Sequence, residues 1–186
     1  MPRKAISDYQ DGVKRQLNRL FPNNVEKEWR TQIGKSSYSP RLDPAVGPFA
    51  MGPLQCAADY DRLSWQNRAL VRRLHDLHRD NAVNSQYRPR RFNVADAHFT
   101  NPNARCFLAI EIENRGSRKH MLGGTMSAMV LGRFGITVGW TEASFRSLLR
   151  AREYLCYLSS VGNSTMATTN RLVLRAEQLE QVLAAP

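Results

Sequence analysis

Apolar residues recur along this chain with two periods, one typical of strands and one typical of helices. The densest apolar run, Cys106–Glu113, predicts a buried strand, and Phe134–Trp140 predicts a second one. Between them, Ser117 is a suitable N-cap for a helix that runs to about Leu131 and is rich in small residues and Met. The stretch therefore predicts a β-α-β unit.

The same two periods predict the rest of the secondary structure. Further helices are predicted at Tyr9–Leu20, Val25–Ile33, Cys56–Asp80, Glu142–Ser159 and Glu177–Ala184. Shorter strands are predicted at Tyr38–Phe49, Phe92–Phe99 and Arg171–Arg175. This alternation predicts a single α/β domain over residues 1–186, with a central mixed β-sheet flanked by helices on both faces. Residues 50–105 are predicted to form a helical and loop insertion in that domain.

Composition adds an anionic partner to this picture. The 186 residues include 27 Lys plus Arg against 16 Asp plus Glu, a formal net charge of +11. Such an excess indicates nucleic acid first and an anionic membrane surface second. No apolar run approaches the roughly 20 residues of a membrane helix, so no membrane partner is expected. The three cysteines form no CxxC pair, which favours a reducing compartment, and we predict a cytoplasmic protein.

Two carboxylates interrupt the central strand near its end. Glu111 and Glu113 are two residues apart, so they point to one face of the sheet. Buried carboxylates are unfavourable unless a cation pairs with them. Together with one Asp from a neighbouring strand, either Asp43 or Asp96, they would offer the oxygen ligands that Mg²⁺ prefers. The alternative is a surface pair of glutamates bound to Arg115 or Arg118.

The motif around these acids resembles a known superfamily. The stretch E-I-E-N-x-x-S-R-K-H-x-L-G from Glu111, followed by L-G-R-F-G-I-T-V-G from Leu131, is similar to the catalytic strand and helix of the restriction-endonuclease-like, or PD-(D/E)XK, nucleases. Residues 39–49 resemble the segment that supplies the first acid of that superfamily. Glu113 stands where the superfamily usually has Lys, a departure that some of its restriction enzymes share.

The resemblance implies a function and a site. It implies a restriction-endonuclease-like fold and a Mg²⁺- or Mn²⁺-dependent endonuclease that hydrolyses phosphodiester bonds, chiefly in double-stranded DNA. It implies that Asp43, Glu111 and Glu113 are catalytic residues and metal ligands. Lys119, a further catalytic residue, or His120 is expected to replace part of the missing Lys. Contacts to nucleic acid are expected from Arg88, Arg90, Arg91, Arg115, Arg118 and His120. The alternative function is a catalytically inactive nucleic-acid-binding protein with a nuclease-like fold.

Three further expectations complete the sequence-based description. A symmetric homodimer is expected, because the helix Lys119–Leu131 is apolar and because cutting two DNA strands requires two sites. The resemblance also makes Glu26, on a predicted N-terminal helix, a weak candidate for an extra acid near the metal, and a charge that stabilises the start of that helix is the favoured role. His75 and His78 lack a third metal ligand nearby and are expected to be surface histidines.

Overall fold

A computed structural model describes residues 3–30, 41–114, 117–163 and 169–184. The helices in these ranges are α1 (Arg3–Leu20), α2 (Ala57–Gln66), α3 (Arg68–Asn81), α4 (Arg118–Leu131), α5 (Glu142–Ser160), α6 (Ala176–Ala184) and a 3-10 helix (Val94–Phe99). The strands are β1 (Val25–Arg30), β2 (Arg41–Val46), β3 (Cys106–Glu113), β4 (Gly132–Gly139) and β5 (Arg171–Arg175). The β3-α4-β4 order confirms the β-α-β unit that the sequence predicts.

The strands form one mixed sheet in the order β1-β2-β3-β4-β5. β1 and β3 run antiparallel to β2, whereas β3, β4 and β5 run parallel to one another. The register places Glu113 opposite Gly139, and Gly139 opposite Arg175. The carboxyl ends of the three parallel strands therefore share one edge of the sheet, which is where open α/β sheets generally place their ligands.

Helices cover both faces of this sheet. Alternate residues of the parallel strands, such as Ile110 and Ile136, belong to the main core, which also contains buried side chains of α1, α2, α3 and α6. The intervening residues pack on the other two helices: Ala109 lies in a cluster with α4, and Val173 in a cluster with α4 and α5. Successive strand residues point to opposite faces, so these two sets of contacts place helices on both faces of the sheet. The predicted α/β class with a helix-flanked mixed sheet is confirmed.

Two predicted elements are wrong. The predicted helix Val25–Ile33 is the strand β1 as far as Arg30, and residues 31–33 lie outside the described residues. Cross-strand pairing of five of the six β1 residues with β2, including Trp29 opposite Leu42, overrides the local helical pattern. The predicted strand Phe92–Phe99 is mostly the 3-10 helix, which begins where the Asn93 side chain accepts a hydrogen bond from the Ala95 N–H at 3.1 Å.

The helical part of residues 50–105 belongs to the main core. The predicted single helix Cys56–Asp80 is divided at Asn67, whose side chain donates to the Leu63 carbonyl at 2.9 Å. Tyr60, Val71 and Leu74 from the two resulting helices are buried in the cluster that also contains β3, β4 and β5 residues. The segment thus lies between β2 and β3 in the chain, but it packs as an integral part of the fold.

The helix α4 buries most of its apolar side chains within the chain. Met121 is buried against α5, Ala128 is buried against the sheet, and Met129 is also buried, whereas Val130 is 47% exposed. The apolar excess expected from the sequence is therefore covered internally, and the homodimer stays a prediction that rests on the need to cut two strands. In the ranges that the structure describes, no helix is long and apolar enough to cross a membrane.

Candidate functional site

Asp43 lies where the pairing of β2 with β3 ends. The backbone pairing joins Ala45 to Ala109 and Val46 to Leu108. Toward the carboxyl end of β3, the Asp43 side chain replaces this backbone pairing. Its Oδ2 accepts the Ile112 N–H at 2.7 Å, and its Oδ1 accepts from Gln10 Nε2 of α1 at 2.8 Å. These two hydrogen bonds fix the carboxylate beside the end of β3.

Glu111 and Glu113 lie under α4, at a point where the helix carries a glycine. A Cβ atom on Gly124 would stand 2.5 Å from Oε1 of Glu113 and 3.9 Å from Cβ of Glu111. A contact of 2.5 Å is well inside van der Waals distance, so any larger residue at position 124 must displace the Glu113 carboxyl group. The neighbouring Gly123 has nothing within 4 Å of such an atom and is exposed. Gly124 is thus the helix position that makes room for the acids.

The pKa values of all three acids are raised, chiefly by burial. Burial raises the pKa of Glu111 to about 9, and the charges of Asp43 and Glu113 contribute to that rise. Burial and the charge of Glu28 raise the pKa of Asp43 to about 6, against the Ile112 hydrogen bond and Lys27, which lower it. The pKa of Glu113 is raised by burial and by Asp43, and the charge of His120 opposes this. At neutral pH the metal-free cluster therefore holds a proton on Glu111.

The chemistry of the cluster suits a hard divalent cation. No described Lys or Arg side chain forms an ion pair with Asp43, Glu111 or Glu113. Oxygen donors with excess negative charge are what Mg²⁺ and Mn²⁺ bind. As they stand, no three Asp, Glu, His or Cys side chains among the described residues converge on one ion position. An ion held by Asp43 would compete with its hydrogen bond from Gln10.

Several residues of the site carry no signal in the sequence. Gln10, on a helix 33 positions earlier, donates a hydrogen bond to Asp43. The charge of Lys27 lowers the pKa of Asp43, and Lys27 also forms an ion pair with Asp11 at 2.6 Å. The second-choice acid Glu26 is exposed on β1, and the expectation that it lies on a helix is wrong. Glu28, two residues further, is the β1 acid whose charge acts on Asp43, and it binds Arg41 at 2.7 Å.

The first turn of α4 follows the end of β3 and contains Lys119 and His120. Lys119 and His120 are both exposed, and His120 is near enough to Glu113 to favour its ionised form. Ser117 is the N-cap of the helix, as predicted, although its side chain makes no capping hydrogen bond. Arg115 lies outside the described residues, as does the side chain of Arg118.

The other predicted nucleic-acid contacts lie elsewhere. Arg88, Arg90 and Arg91 line a cavity whose wall includes Arg171, the first residue of β5, whereas the acids stand at the opposite, carboxyl end of β3. Asp96 lines this same cavity, so the structure places Asp43, and not Asp96, beside Glu111 and Glu113.

The expectation of surface histidines at positions 75 and 78 is wrong, because both side chains are buried between α3 and its neighbours. The His75 ring stacks on Phe92 with the ring centroids 3.7 Å apart. Both nitrogens of His78 face polar partners, a backbone N–H of β5 and a guanidinium of α5. The two rings are thus structural parts of the wall between α3 and β5.

Comparison with known proteins finds no relative: no protein-family model, no curated protein and no solved structure matches the chain.

Proposed function

We propose that this protein is a metal-dependent endonuclease that hydrolyses phosphodiester bonds in DNA, with the restriction-endonuclease-like variant of the α/β fold. The observation that carries the proposal is the meeting of Asp43 from β2 with Glu111 and Glu113 from β3. Neighbouring acids whose pKa values are raised in a partly buried site are typical of functional centres. The basic balance of the chain, +11, supplies attraction for a polyanionic substrate.

Each part of the cluster has a role in this proposal. Asp43, Glu111 and Glu113 would hold Mg²⁺ or Mn²⁺, which when bound activates water and stabilises charge on the phosphoryl oxygens. The Ile112 N–H orients the Asp43 carboxylate toward the end of β3. Lys119 and His120, on the first turn of α4, attract the substrate phosphate, and the helix N-terminus adds to that attraction. Glu111 must release its proton to act as a ligand, so metal binding and activity should increase with pH.

A second function is favoured by one specific observation. The Asp43 carboxylate is satisfied by two hydrogen bonds, and no three described ligands converge on an ion. That arrangement suits a nucleic-acid-binding protein with a nuclease-like fold and no catalysis. The two functions predict different behaviour toward the same DNA.

Supercoiled plasmid DNA separates the two functions. The purified protein is incubated with plasmid in Mg²⁺, in Mn²⁺ or in EDTA, and the products are resolved on an agarose gel. Nicked or linear DNA in either metal and none in EDTA supports the nuclease. Retarded but intact DNA under all three conditions supports the binding protein. DNA that is neither retarded nor cleaved contradicts both functions.

The two adjacent glycines of α4 give a matched pair of variants. Gly124→Ala should move the Glu113 carboxyl and lower the cleavage rate by about tenfold or more, which corresponds to about 1.4 kcal/mol of activation free energy. Gly123→Ala should leave the rate unchanged. Both variants should fold, because Ala favours a helix over Gly by about 1 kcal/mol and the atom displaced by Gly124→Ala is the end of a flexible side chain. Equal rates for the two variants would show that Glu113 takes no part.

Binding to duplex DNA should depend steeply on salt. Replacing Arg88, Arg90 and Arg91 together by Gln should reduce the slope of log K against log salt by about 1 for each phosphate that these arginines no longer neutralise. A triple variant at Arg19, Arg62 and Arg146, which are exposed and lie outside the cavity, makes the same charge change. We expect this control to retain most of the slope. Equal slopes for the two variants would place the DNA on another surface.

A further inference from the structure

A second site lies away from the carboxylate cluster. It is a cavity of about 620 Å³ lined by residues of α3 and α5, by the segment 87–93 and by the start of β5. Its volume is within the range of about 300–1,000 Å³ that is typical of small-molecule sites. Five arginines line it, against the single acid Asp96. The excess of positive charge indicates an anionic ligand.

The wall of this cavity contains a buried arginine, Arg171, whose hydrogen-bond donors are only partly satisfied. Its side chain belongs to a residue that is only 1% exposed, and its Nη2 donates to the Arg152 carbonyl at 3.0 Å and to Cys156 Sγ at 3.3 Å. Its Nε and Nη1 are buried and have no hydrogen-bond partner among the described residues. Burial lowers the pKa of Arg171 to about 10, so the side chain remains cationic at neutral pH. A buried cation with unused donors is destabilising unless an acceptor reaches it.

Arg152 is a second buried guanidinium in the same wall, 5% exposed. It donates to the Tyr87 carbonyl at 2.6 Å and to Ser85 Oγ at 3.1 Å, and its Nε lies 3.2 Å from His78 Nε2. His78 already accepts the Val173 N–H through Nδ1 at 3.0 Å. A neutral imidazole has one free lone pair, so His78 can accept only one of these two donors.

Among the described residues, one carboxylate, Glu153, forms an ion pair with Arg152, and none forms an ion pair with Arg171. Glu153 lies 3.8 Å from Arg152 Nη1, beyond hydrogen-bond distance, and it already accepts a hydrogen bond from Ser85. The cavity thus contains one buried guanidinium group, that of Arg171, with N–H donors that no described acceptor satisfies, and beside it the buried guanidinium of Arg152. Guanidinium groups bind phosphate in a bidentate manner, with two parallel N–H donors.

We propose that this cavity binds a phosphate monoester, carried by a mononucleotide or by the 5′ end of a short nucleic-acid strand. The phosphate lies against Arg152 and Arg171, and the base or sugar contacts the half-buried Phe92 and Tyr87 near the mouth. A terminal phosphate that enters the cavity is expected to meet Arg152 and Arg171, because both residues line its wall. A continuous strand with internal diesters meets Arg88, Arg90 and Arg91 instead, because these side chains are exposed.

Thermal unfolding in EDTA tests this site without any metal at the carboxylate cluster. The probes are a nucleoside 5′-monophosphate, the matching nucleoside, inorganic phosphate, and a trinucleotide with or without a 5′-phosphate. The monophosphate at a hundredfold excess over its Kd should raise Tm by about 5–10 °C, and the nucleoside should not. A larger rise with the phosphorylated trinucleotide than with the mononucleotide identifies a strand end as the source, and the reverse identifies a free nucleotide. No rise with any phosphate, or an equal rise with the nucleoside, overturns the proposal.

Alkylation of Cys156 tests occupancy directly in the unmodified protein. Cys156 lines the cavity and is partly exposed, whereas Cys56 and Cys106 are buried. The monophosphate should slow the reaction of Cys156 with iodoacetamide by about tenfold, as the site reaches some 90% saturation. The nucleoside should leave the rate unchanged. An unchanged rate in saturating monophosphate places the ligand outside the cavity.

Arg171→Met separates binding from folding. Removing an unsatisfied buried cation should leave Tm in ligand-free buffer equal to or above that of the original protein. The rise produced by the monophosphate should be lost. Arg146→Gln, an exposed arginine of α5 outside the cavity, should retain it. A full rise in Arg171→Met overturns the proposal, and the labelling of Cys156 decides the question if that variant does not fold.

Discussion

In metal-free buffer at pH 8, Glu111→Gln is expected to raise the melting temperature. The pKa of Glu111 is raised by burial and by its acidic neighbours from 4.5 to about 9, so the folded protein holds a proton that the unfolded chain releases. This contribution to stability is fully present below about pH 4.5 and is lost as the pH rises toward 9. The variant has no such loss. A difference of at least about 1 kcal/mol, or about 2–4 °C in Tm, should appear at about pH 8.

The pH dependence of this difference is the discriminating feature. It should vanish near pH 4, where Glu111 is protonated in both the folded and the unfolded states. Saturating Mg²⁺ should raise the Tm of the original protein at pH 8 and reverse the order of the two proteins, because only the original protein keeps all three ligands. A difference that is constant from pH 4 to pH 8 would show that Glu111 does not carry the raised pKa.

Replacing either acid of the cluster by its amide should abolish cleavage. Asp43→Asn and Glu111→Gln each remove an oxygen ligand from the proposed metal site, and the cleavage rate in Mg²⁺ should fall by about 10³-fold or more, about 4 kcal/mol. DNA binding should be unchanged or stronger, because a negative charge that faces phosphate has been removed. Glu113→Gln should be nearly as severe, whereas Lys119→Gln should have a smaller effect since His120 remains beside it.

Asp96→Asn is the matched control for these variants. Asp96 is exposed and lines the cavity at the other end of the parallel strands, so its replacement should leave the cleavage rate unchanged. Loss of activity in Asp96→Asn and not in Asp43→Asn would reverse the assignment of the first acid. Retention of the full rate in Glu111→Gln would remove the basis of the nuclease proposal.

The β-α-β unit was predictable because local patterns and tertiary packing agree there. Cys106–Glu113 is apolar enough to be a buried strand in any context, and Ser117 begins the helix α4 where the sequence indicates. The capping box formed by Thr141 and Ser144 likewise starts α5 at the expected residue. Val25–Arg30 was not predictable in the same way, because it becomes a strand through pairing with β2 over long-range contacts.

The carboxylate cluster was only partly predictable. Strand alternation is enough to put Glu111 and Glu113 on one face, and the resemblance to a nuclease motif pointed to Asp43. The hydrogen bond from Gln10, the charge of Glu28 and the close approach of Gly124 depend on how α1, β1 and α4 pack. The sequence also grouped Arg88, Arg90 and Arg91 with the acids, whereas the topology places them near the opposite end of the parallel strands. Chain order does not reveal which end of a sheet a loop will reach.

Calorimetric titration of Mn²⁺ into the original protein and into Glu111→Gln at pH 7.5 tests the proposed metal site most directly. If these three carboxylates are ligands, the original protein should bind one or two Mn²⁺ ions saturably. The affinity of Glu111→Gln for Mn²⁺ should be lower by about 100-fold, some 2.7 kcal/mol. Asp96→Asn should bind as the original protein does. Equal affinity in Glu111→Gln and the original protein, or no binding to either, would contradict the proposal that these carboxylates form a metal site.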